Sequence, residues 1–152
     1  MIRWFQYGCF CPVMRLHGFR QDKERDPRFG HEFSFGGADN EVWSFGDQAY
    51  EILKFYMELR GRLKSYIHET MKSASDTGLP PMRPLFLVAP VTEMNARQKT
   101  LYLPGSSDWT NVWDGSTFSG GRMVTVDSPL EQIPIFVQGK SAVIEAFKSR
   151  NT

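Results

Sequence analysis

Cysteine is scarce in this 152-residue chain, with two residues, Cys9 and Cys11, one residue apart. So short a loop strains a disulfide, and two sulfurs without neighbouring His or further Cys make a poor zinc site. Both read as small thiols in a hydrophobic stretch, not as an oxidised scaffold. An excess of one charge is missing too. Eighteen basic and 17 acidic residues leave a formal charge of +1. The basic residues are scattered, which argues against nucleic acid or an anionic membrane as partner. No run approaches the ~18 apolar residues of a membrane span, and Met1 to Tyr7 lacks the uninterrupted apolar core of a signal peptide. The expected location is cytoplasmic. Without a phosphate-cradling loop, a metal-ligand cluster or a Ser/Cys/His nucleophile arrangement, no cofactor and no metal is expected.

What the chain does have is apolar and aromatic side chains, 41% and 14% of residues. That suffices for a core, and the aromatic share suits either dense packing or a carbohydrate-handling surface. Ile2, Trp4, Phe5 and Tyr7 fit a short apolar helix. Pro12 stops it, and Val13-Met14-Arg15-Leu16 reads as a short strand ending at His17-Gly18. From Phe19 to Trp43 no periodic pattern survives, and a long loop is expected.

The strongest element follows. From Asp47 to about Ser75, apolar residues at Ala49, Ile52, Leu53, Tyr56, Leu59, Leu63, Tyr66, Ile67 and Ala74 fall mostly at three- and four-residue steps. They make one stripe on a long helix, or on two in series. Gly78 and Pro80-Pro81 supply the stop. Beyond Pro81 the character changes. Leu85–Val91, Lys99–Pro104, Trp109–Trp113, Gly121–Val126 and Ile133–Val137 are short strand-like runs separated by turn signals, as in an antiparallel sandwich.

Several segments, in this order, resemble glycoside hydrolase family 31, in particular its α-xylosidase-like and α-glucosidase-like members. They are Arg3-Trp4-Phe5-Gln6-Tyr7-Gly8, Arg15-Leu16-His17-Gly18, Glu41-Val42-Trp43-Ser44-Phe45-Gly46, Leu59-Arg60-Gly61-Arg62-Leu63 and Pro81-Met82-Arg83-Pro84-Leu85-Phe86. Leu87-Val88-Ala89-Pro90-Val91, Tyr102-Leu103-Pro104, Gly120-Gly121 and Ile133–Val137 continue the series. The resemblance implies an α+β chain in two parts. Residues 1–86 would be the C-terminal part of a (β/α)8 glycosidase barrel, a remnant with the long helix and the last barrel strands, Met82–Phe86 being the final one. Residues 87–145 would be the proximal β-sandwich domain, and 146–152 a tail.

The family's chemistry is hydrolysis of α-linked glycosides with retention. It needs a carboxylate nucleophile and a carboxylic acid ~5–5.5 Å apart. The segments that carry the family's two aspartates have no counterpart in these 152 residues, so the catalytic assignment is none. One substrate-binding residue carries over: His17, at the end of a predicted barrel strand, matches the family histidine that hydrogen-bonds the sugar. Asp39 and Glu41 beside Trp43 are read as solvated loop carboxylates, and His68 as a solvent-facing helix residue. The chain also departs from the family where Phe86 runs straight into Leu87, because members carry a further segment there.

Three readings follow. The chain is a glycosidase fragment inactive by itself, a carbohydrate-binding or interaction module using His17, Trp43, Trp109 and Trp113, or a complementing half of a split enzyme. The partners expected are an α-glycoside or sugar, the missing N-terminal part of the enzyme, and further copies through apolar surface that absent barrel neighbours would cover.

Overall fold

The computed structural model describes residues 1–16, 39–80, 86–139 and 142–148. Helix α1 (Ile2–Gly8) buries Phe5 and Gln6 and ends in a turn at Cys9. The short strand expected at 13–16 does not form. Residues 11–13 bend and 14–16 are irregular. A barrel strand is stable only when parallel neighbours complete its ladder, and every strand pairing among the described residues is antiparallel.

A 3-10 turn at Val42–Phe45 leads to α2 (Asp47–Arg62), which continues through Leu63 into α3 (Lys64–Thr77). The sequence stripe is therefore two helices in series. The break falls at Leu63, where ψ rises to 0°, while Gly61 lies inside α2 with open space around it. Gly78 closes α3 in the left-handed conformation, φ 72°, as a glycine C-cap does. α2 buries Ala49, Ile52, Leu53, Phe55, Tyr56 and Leu59, whereas α3 has no buried residue. Arg62 donates to Ala146 O at 2.8 Å.

Among the described residues six strands follow: β1 (Phe86–Val88), β2 (Gln98–Leu103), β3 (Asp108–Asn111), β4 (Thr117–Ser119), β5 (Arg122–Asp127) and β6 (Ile135–Gln138). One sheet has the order β1-β6-β3-β4, and a second pairs β2 with β5. Met82 to Leu85 of the expected last barrel strand lie outside the described residues. Phe86 itself opens β1 and pairs with Val137, inside the β half. A 3-10 turn at Ala142–Ile144 and helix α4 (Glu145–Lys148) follow β6. Residues 146–148, expected to begin a tail, belong to α4, and Phe147 is buried.

Strand β6 explains how the layers join. Successive side chains of a strand point to opposite faces, and Ile135, Phe136 and Val137 are all buried. Ile135 and Val137 pack with Phe5, Leu53, Tyr56, Leu59 and Ile133 in a core shared with the helices. Phe136 turns the other way, into a second core with Leu101, Leu103, Trp109 and Val124 between the two sheets. The order is thus helices, four-stranded sheet, two-stranded sheet. Burial of one leucine such as Leu53 or Leu59 contributes roughly 1.5–3 kcal/mol.

The paired glycines have a steric cause. A Cβ on Gly120 would lie 2.5 Å from Gly105 O and 2.7 Å from Pro104 O, so this crossing of two backbones admits only glycine.

Candidate functional site

His17 lies outside the described residues, as do His31 and residues 19–38 of the loop expected from Phe19 to Trp43. Arg15 and Leu16, the last described residues before His17, are exposed. The aromatics of the binding-module reading separate. Trp109 is 1% exposed, with its indole Nε1–H donating to Pro104 O at 2.9 Å. Trp113 is half-buried and donates to Ile133 O at 2.7 Å. Its ring meets those of Phe55, Tyr56 and Phe147 at centroid distances of 5.4–6.4 Å. Both are structural. Trp43 is exposed, beside Glu41, whose carboxylate accepts from Ser44 Oγ at 3.2 Å. His68 is exposed on α3, as its helix position implies. Among the described residues no group of three or more His, Cys, Asp or Glu is placed to hold a metal ion.

The motif residues of α1 and α2 are brought together, at the seam between helices and sandwich. Arg3 Nη1 donates to Pro129 O (3.1 Å), Gln132 O (2.9 Å) and Gln6 Oε1 (3.3 Å), and Nη2 to Ser128 O (2.8 Å) and Ala96 O (3.4 Å). Burial lowers the Arg3 pKa from its usual value, with Tyr56 partly offsetting this and the like charge of Arg97 adding to it. Gln6, fully buried, donates to Leu130 O at 2.7 Å. The Tyr56 hydroxyl donates to Glu131 O and accepts from Ile133 N–H, both at 3.2 Å. Three side chains therefore donate to the carbonyls of one loop, 128–132, where Pro129 O and Gln132 O also accept from Gln132 N–H at 3.0 Å and Ser128 Oγ at 3.2 Å.

Arg60 does the same for the turn after α1. It donates to Cys9 O and Cys11 O at 2.7 Å and to Pro12 O at 3.0 Å. The Cys9 thiol, fully buried, donates to Tyr56 O at 3.1 Å. Burial pushes its pKa up to about 12 against the opposing charge of Arg60. Cys11, half-buried, is raised by burial as well. Both cysteines are free thiols, and such shifts make them poor nucleophiles. Arg3 and Gln6 stand in a motif segment with no role assigned from sequence. Arg60, whose cluster with Arg62 and Lys64 reads as the solvated side of a helix, instead turns inward onto the carbonyls of Cys9, Cys11 and Pro12. The available signal was a Gln and an Arg interleaved with the buried face of a seven-residue helix.

On its other side α1 borders a cavity of about 730 Å³, walled by Met1, Arg3, Trp4 and Tyr7 and, opposite, by residues 90–97. Trp4 is 77% exposed and Met94 90%.

Comparison with known proteins agrees with this two-part structure. The family model described as the glycosyl hydrolases family 31 TIM-barrel domain matches residues 1–70, and that of the family 31 C-terminal domain matches residues 81–143. An α-xylosidase of Saccharolobus solfataricus is 30% identical over 159 residues, covering 90% of this chain and 19% of the relative. That span exceeds the whole 152-residue chain, so the relative carries insertions within it. A solved family 31 α-xylosidase from a soil metagenome, complexed with xylose, is 39% identical. It covers 97% of this chain with a TM-score of 0.83 and 25% of its own. A xylosidase from Aspergillus niger aligns with a TM-score of 0.81 at 27% identity, over 97% of this chain and 24% of its own. The chain thus spans about a fifth to a quarter of the length of these relatives. With matches to both domain models in the expected order, the chain belongs to glycosyl hydrolase family 31.

Proposed function

We propose that this chain is the barrel-end and sandwich portion of a retaining α-glycosidase acting on α-linked xylosides or glucosides, and that it does not turn over substrate by itself. Retention demands an attacking carboxylate and a proton donor about 5–5.5 Å apart across the scissile bond. The family segments with those two aspartates have no counterpart in this sequence. The supporting observation is the likeness to the xylose-complexed α-xylosidase, over 97% of this chain but only 25% of that one. In this reading the chain contributes His17 as a hydrogen-bond donor to a sugar hydroxyl, which orients substrate without taking part in bond making. The clamp from Arg3, Gln6 and Tyr56 keeps the barrel end fixed on the sandwich, and Arg60 ties α2 to the turn after α1.

The test is hydrolysis of p-nitrophenyl α-xyloside and α-glucoside by the purified chain. The expected result is no release above the uncatalysed rate. Turnover that co-purifies with the chain and survives mutation of any contaminating host glycosidase overturns the reading.

A further inference from the structure

We propose that the open side of α1, with Trp4 as its anchor, and the facing 90–97 loop form the seam onto which the rest of a family 31 barrel docks. This rests on the preceding reading, that the chain works as part of a larger glycosidase. Helix α1 has two unlike sides. Phe5 and Gln6, at 4% and 0% exposure, are sealed against the core, while Trp4 stands 77% exposed between them and Arg3. Its ring opens onto the cavity of about 730 Å³, whose far wall carries Met94 at 90% exposure. Exposed Trp and Met gathered at one concave place, with Tyr7 and Arg97 beside them, are the residue types enriched at protein interface anchors.

Three observations select the occupant. The chain retains the shape of the soil-metagenome α-xylosidase over 97% of its length while covering 25% of that enzyme. Most of such a polypeptide must therefore pack on faces that this chain leaves open, and the side of α1 that carries Phe5 and Gln6 is already closed. A sugar suits the cavity less well. The Arg3 Nη groups already serve five acceptors, and Met1, Val91, Met94 and Leu130 supply mostly apolar wall. The cavity wall carries Arg3 and Arg97 against the carboxylate of Glu93, so a two-fold copy of this chain would lay one net-positive patch on another.

The experiment co-expresses the full chain with a tagged segment of that α-xylosidase, comprising the part of its TIM barrel that this chain does not match. The tagged segment is expected to capture the chain. Trp4→Asp should weaken capture by at least ~10-fold, as loss of a central anchor does, and Met123→Asp, exposed on β5, by less than ~2-fold. Trp4→p-benzoylphenylalanine and Met94→p-benzoylphenylalanine should photo-crosslink to the segment, and Met123→p-benzoylphenylalanine should not. In a fusion of the segment ahead of this chain, the amides of residues 2–8 should exchange at least ~10-fold more slowly than in the lone chain. Capture indifferent to Trp4→Asp, adducts from position 123 alone, adducts between two copies, or unchanged exchange in a soluble fusion each overturn the proposal. So does Trp4 fluorescence that responds to isomaltotriose and not to the segment. Failed docking with an inactive lone chain sinks this seam only, whereas activity of the lone chain sinks the reading beneath it.

Discussion

Helices α2 and α3 are nearly the same length, share one amphipathic stripe and are joined end to end, yet they differ in what covers them. α2 buries six side chains beneath α1, β6 and α4, and α3 buries none. Ile67 is half-buried against the shared core, and Met71, one turn on, is 42% exposed. Amphipathic spacing reports that a helix has a side for burial; it does not report whether the covering element is present. The contrast also locates the stability of the fragment, in α2 and its clamps.

That contrast can be broken most forcefully at its centre. Leu53→Ala, at a fully buried position of α2, should cost roughly 2–5 kcal/mol in urea unfolding, whereas Ile67→Ala in α3 should cost less than half as much. Equal losses would mean that α3 is covered as α2 is. Next comes Arg3→Ala. It strips donors from four backbone carbonyls and should destabilise by about 2–3 kcal/mol, with Arg3→Lys recovering only part. An Arg3→Ala chain as stable as the parent would show the seam to be held by apolar packing alone.

Alkali sharpens the same comparison. Cys9 has its pKa raised from 9.0 to about 12 by burial. A raised thiol pKa means the folded state holds its proton while the unfolded state releases it. The stability contributed is complete below about pH 9 and is lost as pH climbs toward 12, with a slope of at most ~1.4 kcal/mol per unit. Cys9→Ala should flatten that slope in pH-dependent unfolding. Native Ellman titration should label Cys11 and spare Cys9. The smallest effect belongs to α3: Met71→Lys, on an exposed position, should shift stability by no more than ~0.5 kcal/mol.

Much of this fold was legible in the residues, for identifiable reasons. Periodicity placed α1, the α2–α3 stripe, β2, β3 and β5, because each has an inside and an outside, while β1 and β6 read as short apolar runs, β6 being buried on both faces. It missed β4, whose Thr117-Phe118-Ser119 is too short to show alternation, and it put a strand at 13–16 where no ladder partner stands. It left Phe147 in a tail because a four-residue helix has no period to display. The candidate site was less legible. Aromatic identity suggested a binding face for Trp109 and Trp113, yet an indole with one N–H can be satisfied inside by one carbonyl, and both are. Conversely Trp4, within a motif segment of α1, is exposed, as is Trp43. His17 rests on motif likeness, with no geometry to add.

The two-sided burial of β6 has a bearing on biosynthesis. The strand that finishes both cores is the last of the described strands to leave the ribosome. Until residues 135–138 emerge, the stripe of α2 and the inward faces of β2, β3 and β5 have no common partner. At ~5–20 residues per second, translation from β1 to β6 holds those sticky surfaces open for several seconds. In that interval the nascent polypeptide is a natural client for a holding chaperone.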